Sequence, residues 1–202
     1  MMGSITLLLG PMMGGKTTEC QRRFCKCSLQ HPNATVCLIP GIDTRYTRKS
    51  LSVSHDGKKI YATRVRTLED DPAVVKKATY IFIDEGQFIK GLAAFCLRQR
   101  DAGKHVTVAA LSSDFRGQTW PEIAALVPVH APHIQTFMGV CVACKQDAFY
   151  TRKLGTDESV IDVGGSEKYV VVCHRHFSND TLITQEMLEE RADTLYRLRV
   201  SQ

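Results

Sequence analysis

The chain has 202 residues, of which 44% are hydrophobic and 23% charged, and its formal net charge is +5. This composition is typical of a globular protein and allows one α/β domain with a small appendage. It excludes a membrane-spanning helix, because no apolar run approaches the ~20 residues that such a helix needs. Since Met1 to Ser4 carry no basic residue and a strand pattern follows at once, we expect no signal peptide and a cytoplasmic location.

A glycine-rich motif follows the first strand pattern, Ile5 to Leu9, and opens a helical pattern. It fits G-x-x-x-x-G-K-[ST], which needs a strand before it and a helix after it. The glycines let backbone N–H groups surround a polyphosphate, and the helix adds the positive end of its dipole. We expect Lys16 to reach the β- and γ-phosphates and Thr17 to ligate Mg²⁺. The motif therefore predicts a nucleoside triphosphate site rather than a simple glycine turn, at residues Gly10, Pro11, Met12, Met13, Gly14, Gly15, Lys16 and Thr17.

Strand and helix patterns alternate along the rest of the first two thirds of the chain. The predicted fold is α/β, a P-loop parallel sheet flanked by helices, with its ligand crevice at the carboxyl ends of the strands. The predicted strands are 34–39, 62–65, 80–83, 106–111 and 134–138, and the predicted helices are 16–30, 68–78, 91–102 and 121–126.

Two acidic residues, Asp84 and Glu85, directly follow the apolar run Tyr80 to Ile83. This run is typical of a central parallel strand, so both carboxylates are expected near the phosphate loop. Asp84 is suited to hold Mg²⁺, and Glu85 to accept a proton from an attacking hydroxyl or water. The pair alone is compatible with an ATPase and with a small-molecule kinase.

The cysteines after residue 138 are spaced as metal ligands. Cys141 and Cys144 form C-x-x-C, and Cys173 and His176 form C-x-x-H, a pairing typical of tetrahedral Zn²⁺. His174 is the competing fourth ligand, but the C-x-x spacing favours His176. Four protein ligands leave no open position, so the zinc is predicted to be structural and to hold the base of the long loop from Tyr150 to Val172.

The predicted domains follow from the sequence pattern, which changes after residue 138 from alternating strands and helices to spaced metal ligands. Residues 1–138 are predicted to be the P-loop ATP-binding α/β domain, and residues 139–179 a small zinc-stapled domain. Residues 180–202 are predicted to be a helical tail, because an amphipathic pattern runs from Leu182 to Val200.

The positive charge of the chain suits an anionic ligand, but by itself it does not distinguish a nucleotide from nucleic acid or a membrane surface. The basic stretch from Arg45 to Lys49 is interpreted as a phosphate-facing loop. We expect no nucleic-acid or membrane partner.

Taken in order, these motifs resemble the thymidine kinases of the cellular and bacterial zinc-containing type (type II), over about residues 4–177. Three positions depart from the usual pattern: Met13-Gly14 replaces an aromatic residue and Ser, Trp120 stands where Phe is common, and His176 replaces a cysteine. The resemblance rests on the phosphate loop, the four zinc ligands, Asp43-Thr44-Arg45-Tyr46, Ser54-His55-Asp56, Ile83 to Phe88, Ala109 to Ser112, Tyr150 to Gly155, Gly164-Gly165 and Lys168-Tyr169.

The resemblance implies transfer of the ATP γ-phosphate to the 5′-hydroxyl of thymidine, in nucleotide salvage for DNA synthesis. Deoxyuridine is expected to be accepted as well. Glu85 is implied to be the general base and Asp84 the Mg²⁺ partner. Residues implied to lie by the triphosphate are Asp43, Thr44, Arg45, Asp84, Glu85, Gly86 and Gln87. Residues implied to contact the nucleoside are Phe88 and Phe115 at the base, Met12, Leu111 and Thr151 at the 5-methyl group, and the lasso Val160, Ile161, Asp162, Val163 and Gly164 with Tyr169. A homotetramer and inhibition by dTTP at the active site are implied as well.

We call residues 139–179 the lasso domain. Thymine presents an N3–H donor between two carbonyl acceptors, an edge that backbone groups of such a lasso match without side chains. Gly164 and Gly165 allow the close approach that this requires.

Two other function classes are alternatives to a nucleoside kinase. A zinc-ribbon ATPase acting on nucleic acid would need helicase-like motifs and an arginine finger, neither of which we identify. A nucleotide-binding regulatory protein with little turnover would need Glu85 to be misplaced.

Overall fold

The computed structural model describes residues 2–41, 51–53, 57–127, 131, 133–155, 159–160, 164–165, 167–178 and 183–200. Two short 3₁₀ helices within these residues span Ala73–Val75 and Gly86–Phe88. The strands are β1 (Ser4–Gly10), β2 (Thr35–Pro40), β3 (Leu51–Val53), β4 (Lys59–Tyr61), β5 (Thr63–Val65), β6 (Tyr80–Ile83), β7 (His105–Leu111), β8 (His133–Thr136), β9 (Gly139–Val140), β10 (Asp147–Ala148), β11 (Tyr150–Lys153) and β12 (Tyr169–Val172). The α-helices are α1 (Lys16–Gln30), α2 (Leu92–Asp101), α3 (Pro121–Ala124), α4 (His174–Ser178) and α5 (Gln185–Val200).

The central sheet has six parallel strands in the order β5-β2-β6-β7-β1-β8. Its register pairs Gly10 with Leu111 and Ile83 with Val108. Because all these strands are parallel, the carboxyl ends of β1, β6 and β7 lie side by side at one edge of the sheet. The predicted α/β fold is confirmed, and the phosphate loop and Asp84 are brought to that edge.

Alternation along the strands divides the core between the two faces of the sheet. On one face Leu7 and Ile83 belong to a cluster with Leu92 and Phe95 of α2. On the other face, the alternate residues of the strands form a smaller cluster with Cys20 of α1. These residues include Leu8, Phe82 and Ala109. Both faces are covered by helices, as the continuous apolar strand patterns require.

The lasso domain is built on two antiparallel strand pairs, β9 with β10 and β11 with β12. Val170, Val171 and Val172 are buried in its own small core together with Val142. Helix α5 adds Met187 and Leu188 to this core, and it lies within the segment 180–202 that was predicted to be a helical tail.

The helix predicted from Leu68 to Ala78 is wrong, since only the single 3₁₀ turn Ala73–Val75 forms there. Pro72 is extended (ψ 142°), which interrupts a helix at that residue, and the N–H of Leu68 donates to the carbonyl of Lys90. Arg98 then binds the carbonyl of Leu68 and the carboxylate of Asp71. Contacts to distant residues therefore replace the local hydrogen bonds that a helix would need.

Among the residues that the structure describes, no helix combines the length and apolar character needed to cross a membrane. The division at residues 138 and 179 stays a prediction. Strand β11 is hydrogen-bonded directly to the phosphate loop, so the first boundary is not free of contacts.

Candidate active site

The phosphate loop lies between the end of β1 and the start of α1. Gly15, immediately before α1, has φ 92° and ψ 6°, a left-handed conformation that glycine adopts without a Cβ clash. The last turn of the loop therefore delivers backbone N–H groups and the first residues of α1 to the edge of the sheet. This is the arrangement that binds phosphate in loops of this kind.

Lys16 lies inside the loop rather than in solvent. Its side chain is almost fully buried, and its Nζ donates to the carbonyl of Pro11 over 2.6 Å. Burial lowers the pKa of this ammonium, while the nearby carboxylates of Glu85 and Asp84 act in the opposite direction. A cation held in this way is available to a polyphosphate that enters the loop.

Asp84 receives hydrogen bonds at both carboxylate oxygens. Thr17 donates to Oδ1 over 3.0 Å, and Ser52 of β3 donates to Oδ2 over 2.8 Å. Burial, followed by the charge of Glu85, raises the pKa of Asp84 from 3.8 to about 6, against the hydrogen bonds of Ser52 and Thr17 and the charge of Lys16. The Thr17 hydroxyl and the Asp84 carboxylate are thus adjacent oxygen ligands, the type that Mg²⁺ prefers.

Glu85 follows in a left-handed backbone conformation, with φ 53° and ψ 41°. This conformation is uncommon for a residue other than glycine. Its carboxylate accepts a hydrogen bond of 2.7 Å from Nε2 of Gln87. A carboxylate beside the loop, next to Asp84, is suited to accept a proton from a bound hydroxyl.

Several residues of the predicted nucleoside pocket are brought together. The backbone N–H of Met12 donates to Oγ1 of the buried Thr151 over 3.0 Å, which joins the phosphate loop to β11. Met12, Phe88 and Val160 all pack against the same core cluster, which also contains Leu111.

The remaining described pocket residues lie nearby in the fold. Phe88 packs edge-to-face on Trp120, with ring centroids 5.4 Å apart. The ring centroid of Phe115 lies 5.6 Å from Nζ of Lys153, the last residue of β11. Tyr169 is buried opposite Lys153 on β12, and Gly164 is buried against the side chain of Lys168.

Two groups of predicted site residues lie outside the described residues. They are Asp43, Thr44 and Arg45, which were assigned to the triphosphate, and Ile161, Asp162 and Val163 of the lasso.

The predicted metal ligands Cys141, Cys144, Cys173 and His176 form one cluster, with all four ligand atoms within 4.8 Å of one another. Nδ1 of His176 is 3.1 Å from Sγ of Cys173 and 3.6 Å from Sγ of Cys141. The competing residue His174 is exposed and lies outside this cluster, with its ring near Tyr150. Three thiols and one imidazole so arranged fit a tetrahedral Zn²⁺ ion.

The surroundings of Cys141 lower the pKa of its thiol. Burial acts to raise its pKa, but N–H groups of Cys144, Cys173 and Ala143 bring the pKa below the ordinary value. A hydrogen bond from the backbone of Gln146 acts to lower the pKa of Cys144, but burial and the neighbouring thiols of Cys141 and Cys173 raise it overall. Zinc binding requires each of these thiols in its thiolate form.

Ser52 and Gln21 were missed by sequence reasoning. Nε2 of Gln21 donates to Oγ of Ser52 over 3.1 Å, and Ser52 in turn holds Asp84. Ser52 lies in a polar segment with turn signals, and it contacts a carboxylate 32 residues away along the chain. No local pattern indicates such a contact.

Comparison with known proteins relates the chain to kinases. A family model described as "Thymidine kinase" matches residues 3–177. The cytosolic thymidine kinase of Bos taurus is 36% identical over 171 residues, covering 85% of this chain and 70% of its own length. The human cytosolic thymidine kinase shows the same identity over 71% of its length. The thymidine kinase of Myxoma virus (strain Uriarra) is 33% identical over 175 residues, covering 86% of this chain and 95% of its own length.

Proposed function

This chain belongs to the thymidine kinase family, and on that premise we propose that it transfers the γ-phosphoryl group of ATP to the 5′-hydroxyl of thymidine. The products are dTMP and ADP. The observation that carries the proposal is the phosphate loop with Asp84 and Glu85 beside it, within the residues that the family model matches. Deoxyuridine is expected as a second substrate, because a methyl-sized pocket discriminates by only ~1–3 kcal/mol.

The donor side of the reaction uses the loop and the end of β6. Backbone N–H groups of the phosphate loop surround the β- and γ-phosphates, and Lys16 exchanges its contact with the carbonyl of Pro11 for phosphate oxygens. Thr17 and Asp84, whose oxygens are adjacent, would hold Mg²⁺. The chemistry that Mg²⁺ supplies is neutralisation of charge on the transferred phosphoryl group. Asp43 to Arg45 and Asp84 to Gly86 complete the proposed triphosphate site.

On the acceptor side, Glu85 acts as the general base. Its carboxylate takes the proton of the 5′-hydroxyl as that oxygen attacks the γ-phosphorus. The hydrogen bond from Gln87 supports this assignment, because it holds the carboxylate beside the loop.

The nucleoside is proposed to lie between the sheet edge and the lasso. Phe88 and Phe115 contact the base, while Met12, Leu111 and Thr151 surround the 5-methyl group. The contact between Met12 and Thr151, and the shared packing of Met12 and Leu111, support this arrangement. Residues Val160 to Gly164 and Tyr169 close over the base through backbone groups.

We propose a structural zinc ion at Cys141, Cys144, Cys173 and His176, because all four ligand positions are filled by protein. The homotetramer and inhibition by dTTP are proposed from the family resemblance. A cytosolic location is supported by the names of the bovine and human relatives.

Incubation with ATP, Mg²⁺ and each deoxynucleoside tests the function. We expect ADP release that depends on thymidine and, more weakly, on deoxyuridine. Glu85→Gln should lower turnover by a factor of about 10² to 10⁴ while ATP and thymidine still bind, because the amide cannot accept the proton. ADP release stimulated by nucleic acid but not by a nucleoside would contradict the proposal.

A further inference from the structure

The side-chain amide of Gln87 lies between the Glu85 carboxylate and the backbone of β7. Its Nε2 donates to Oε2 of Glu85 over 2.7 Å, and its Oε1 accepts from the N–H of Leu111 over 3.0 Å. Only 6% of Gln87 is exposed; its hydrogen bond with Leu111 is buried, and its hydrogen bond with Glu85 is partly buried. Buried hydrogen bonds to a charged group are stronger than exposed ones and are costly to lose.

The two contacts fix which way the amide faces. The N–H of Leu111 is a donor only, so the oxygen of Gln87 must face it. The NH₂ group must then face Glu85, where a carboxylate oxygen accepts its hydrogen bond. Gln87 can therefore hold Glu85 in one place without competing for the proton that Glu85 is proposed to accept.

The backbone between these residues is shaped to allow this bridge. A Cβ at Gly86 would lie 2.6 Å from Cγ1 of Val108, so only glycine lets the turn press this closely against β7. Glu85 before it is in the left-handed conformation, and the N–H of Phe88 closes the turn on the carbonyl of Glu85 over 3.1 Å.

We propose that Gln87 is a positioning residue that holds the carboxylate of Glu85 for proton transfer and ties it to Leu111 of the nucleoside pocket. This rests on the proposed role of Glu85. It gives Gln87 a different role from the triphosphate contact that the family resemblance implies, since the amide oxygen and one N–H are already engaged within the protein.

The first test is Gln87→Met, which keeps the length of the side chain but removes both hydrogen bonds. We expect kcat to fall about 10- to 100-fold, as for a catalytic group displaced by about 1 Å. KM for ATP and for thymidine should stay within about twofold, because neither substrate loses a direct contact. Gln87→Glu, which presents a carboxylate to Glu85, should lower kcat at least as much and serves as a second variant if Gln87→Met does not fold.

The second test combines the change with Glu85→Gln. If Gln87 acts through Glu85, Gln87→Met should lower the residual kcat of the Glu85→Gln enzyme by no more than about twofold. An undiminished loss in that background would overturn the proposal. So would a raised KM for ATP with kcat unchanged, which would identify Gln87 as a triphosphate ligand.

A matched control is Gln99→Met on α2. Gln99 is also buried, and its Nε2 donates to Oδ2 of Asp71 over 2.6 Å, on an element that supplies no proposed site residue. Its replacement should lower the thermal midpoint without the loss of kcat.

If Glu85→Gln itself leaves turnover unchanged, the proposed base is wrong. If it inactivates the enzyme and both Gln87 variants remain fully active, only the positioning role is wrong.

Discussion

The four residues after β6 have different contacts, although they are consecutive in the chain. Asp84 meets Thr17 and Ser52, Glu85 accepts from Gln87, Gly86 approaches Val108, and Gln87 reaches the N–H of Leu111. The left-handed backbone of Glu85 turns the chain so that these side chains point in different directions. A one-residue shift would break all of these contacts together.

The buried carboxylate of Asp84 lowers the stability of the folded protein at neutral pH. Because burial raises its pKa from 3.8 to about 6, the native state binds the proton more tightly than the unfolded chain does. The free energy of unfolding therefore falls as the pH rises from about 4 to about 6, and the ionised carboxylate remains destabilising above that range.

We predict that Asp84→Asn raises the thermal midpoint of the ligand-free protein at pH 7–8, by about 3 °C for each kcal/mol relieved. The difference from the native protein should shrink as the pH falls below about 6, where Asp84 itself is protonated. Turnover with ATP and Mg²⁺ should fall about 10- to 100-fold, because the proposed Mg²⁺ ligand loses its charge. Calorimetry across pH and a kinase assay measure both effects.

Asp71 provides the control with the opposite sign. Burial acts to raise its pKa, but hydrogen bonds from Arg98 and Gln99 lower it overall. Asp71→Asn should therefore lower the thermal midpoint at pH 7 and leave turnover intact. An Asp84→Asn protein that is less stable than the native protein at pH 8 would contradict this account.

At the scale of elements, α5 connects two parts of the molecule. Glu190 pairs with Lys145 in the C-x-x-C turn over 2.9 Å, and Arg191 contacts the sulfur of Met13 in the phosphate loop. Burial lowers the pKa of Arg191. Met187 and Leu188 of the same helix pack on the core of the lasso domain. Helix α5 thus covers the side of the phosphate loop that faces the lasso domain, although it lies outside the residues that the family model matches.

We predict that a chain ending at Ser178 keeps thymidine kinase activity but unfolds at a lower temperature. Half-buried apolar side chains of α5 leave the lasso core, at a cost of about 2 kcal/mol, which corresponds to roughly 4–8 °C. Glu186→Ala, at an exposed position of the same helix, should leave the midpoint unchanged. Differential scanning fluorimetry measures the shift, and an equal midpoint for the shortened chain would contradict the prediction.

Local patterns predicted the elements that depend on local physics. The buried strands β1, β2, β6 and β7 are apolar runs, and α1 follows from the loop motif, so both were recognised. The segment 68–78 was not, because Pro72 is extended and both backbone groups of Leu68 bind residues far along the chain, Lys90 and Arg98. For the same reason the C-x-x-C and C-x-x-H ligands were found by their spacing, whereas Ser52 was not found.

At the scale of the whole molecule, the cluster of Cys141, Cys144, Cys173 and His176 lies at the base of the parts that are proposed to hold the nucleoside. Cys173 directly follows β12, and His176 lies on α4, whose Phe177 stacks on Tyr150 of β11 with ring centroids 4.4 Å apart. The sheet has its own core on both faces and does not depend on these residues.

We predict that Cys173→Ser loses zinc and loosens the lasso domain while the central sheet persists. Amide exchange should accelerate in β11 and β12 but not in β1, β6 and β7, and KM for thymidine should rise more than KM for ATP. Cys25→Ser, at an exposed cysteine of α1, should behave as the native protein. Retention of the full zinc content by Cys173→Ser would show that the ligand set is wrong.

The hydrogen bond between the N–H of Met12 and the hydroxyl of Thr151 joins the two proposed substrate sites in the ligand-free protein. If a triphosphate recruits the N–H of Met12, the Thr151 hydroxyl at the proposed nucleoside site loses this donor in the same event. Heterotropic linkage follows: whatever factor bound ATP applies to the dissociation constant of thymidine, thymidine must apply to that of ATP.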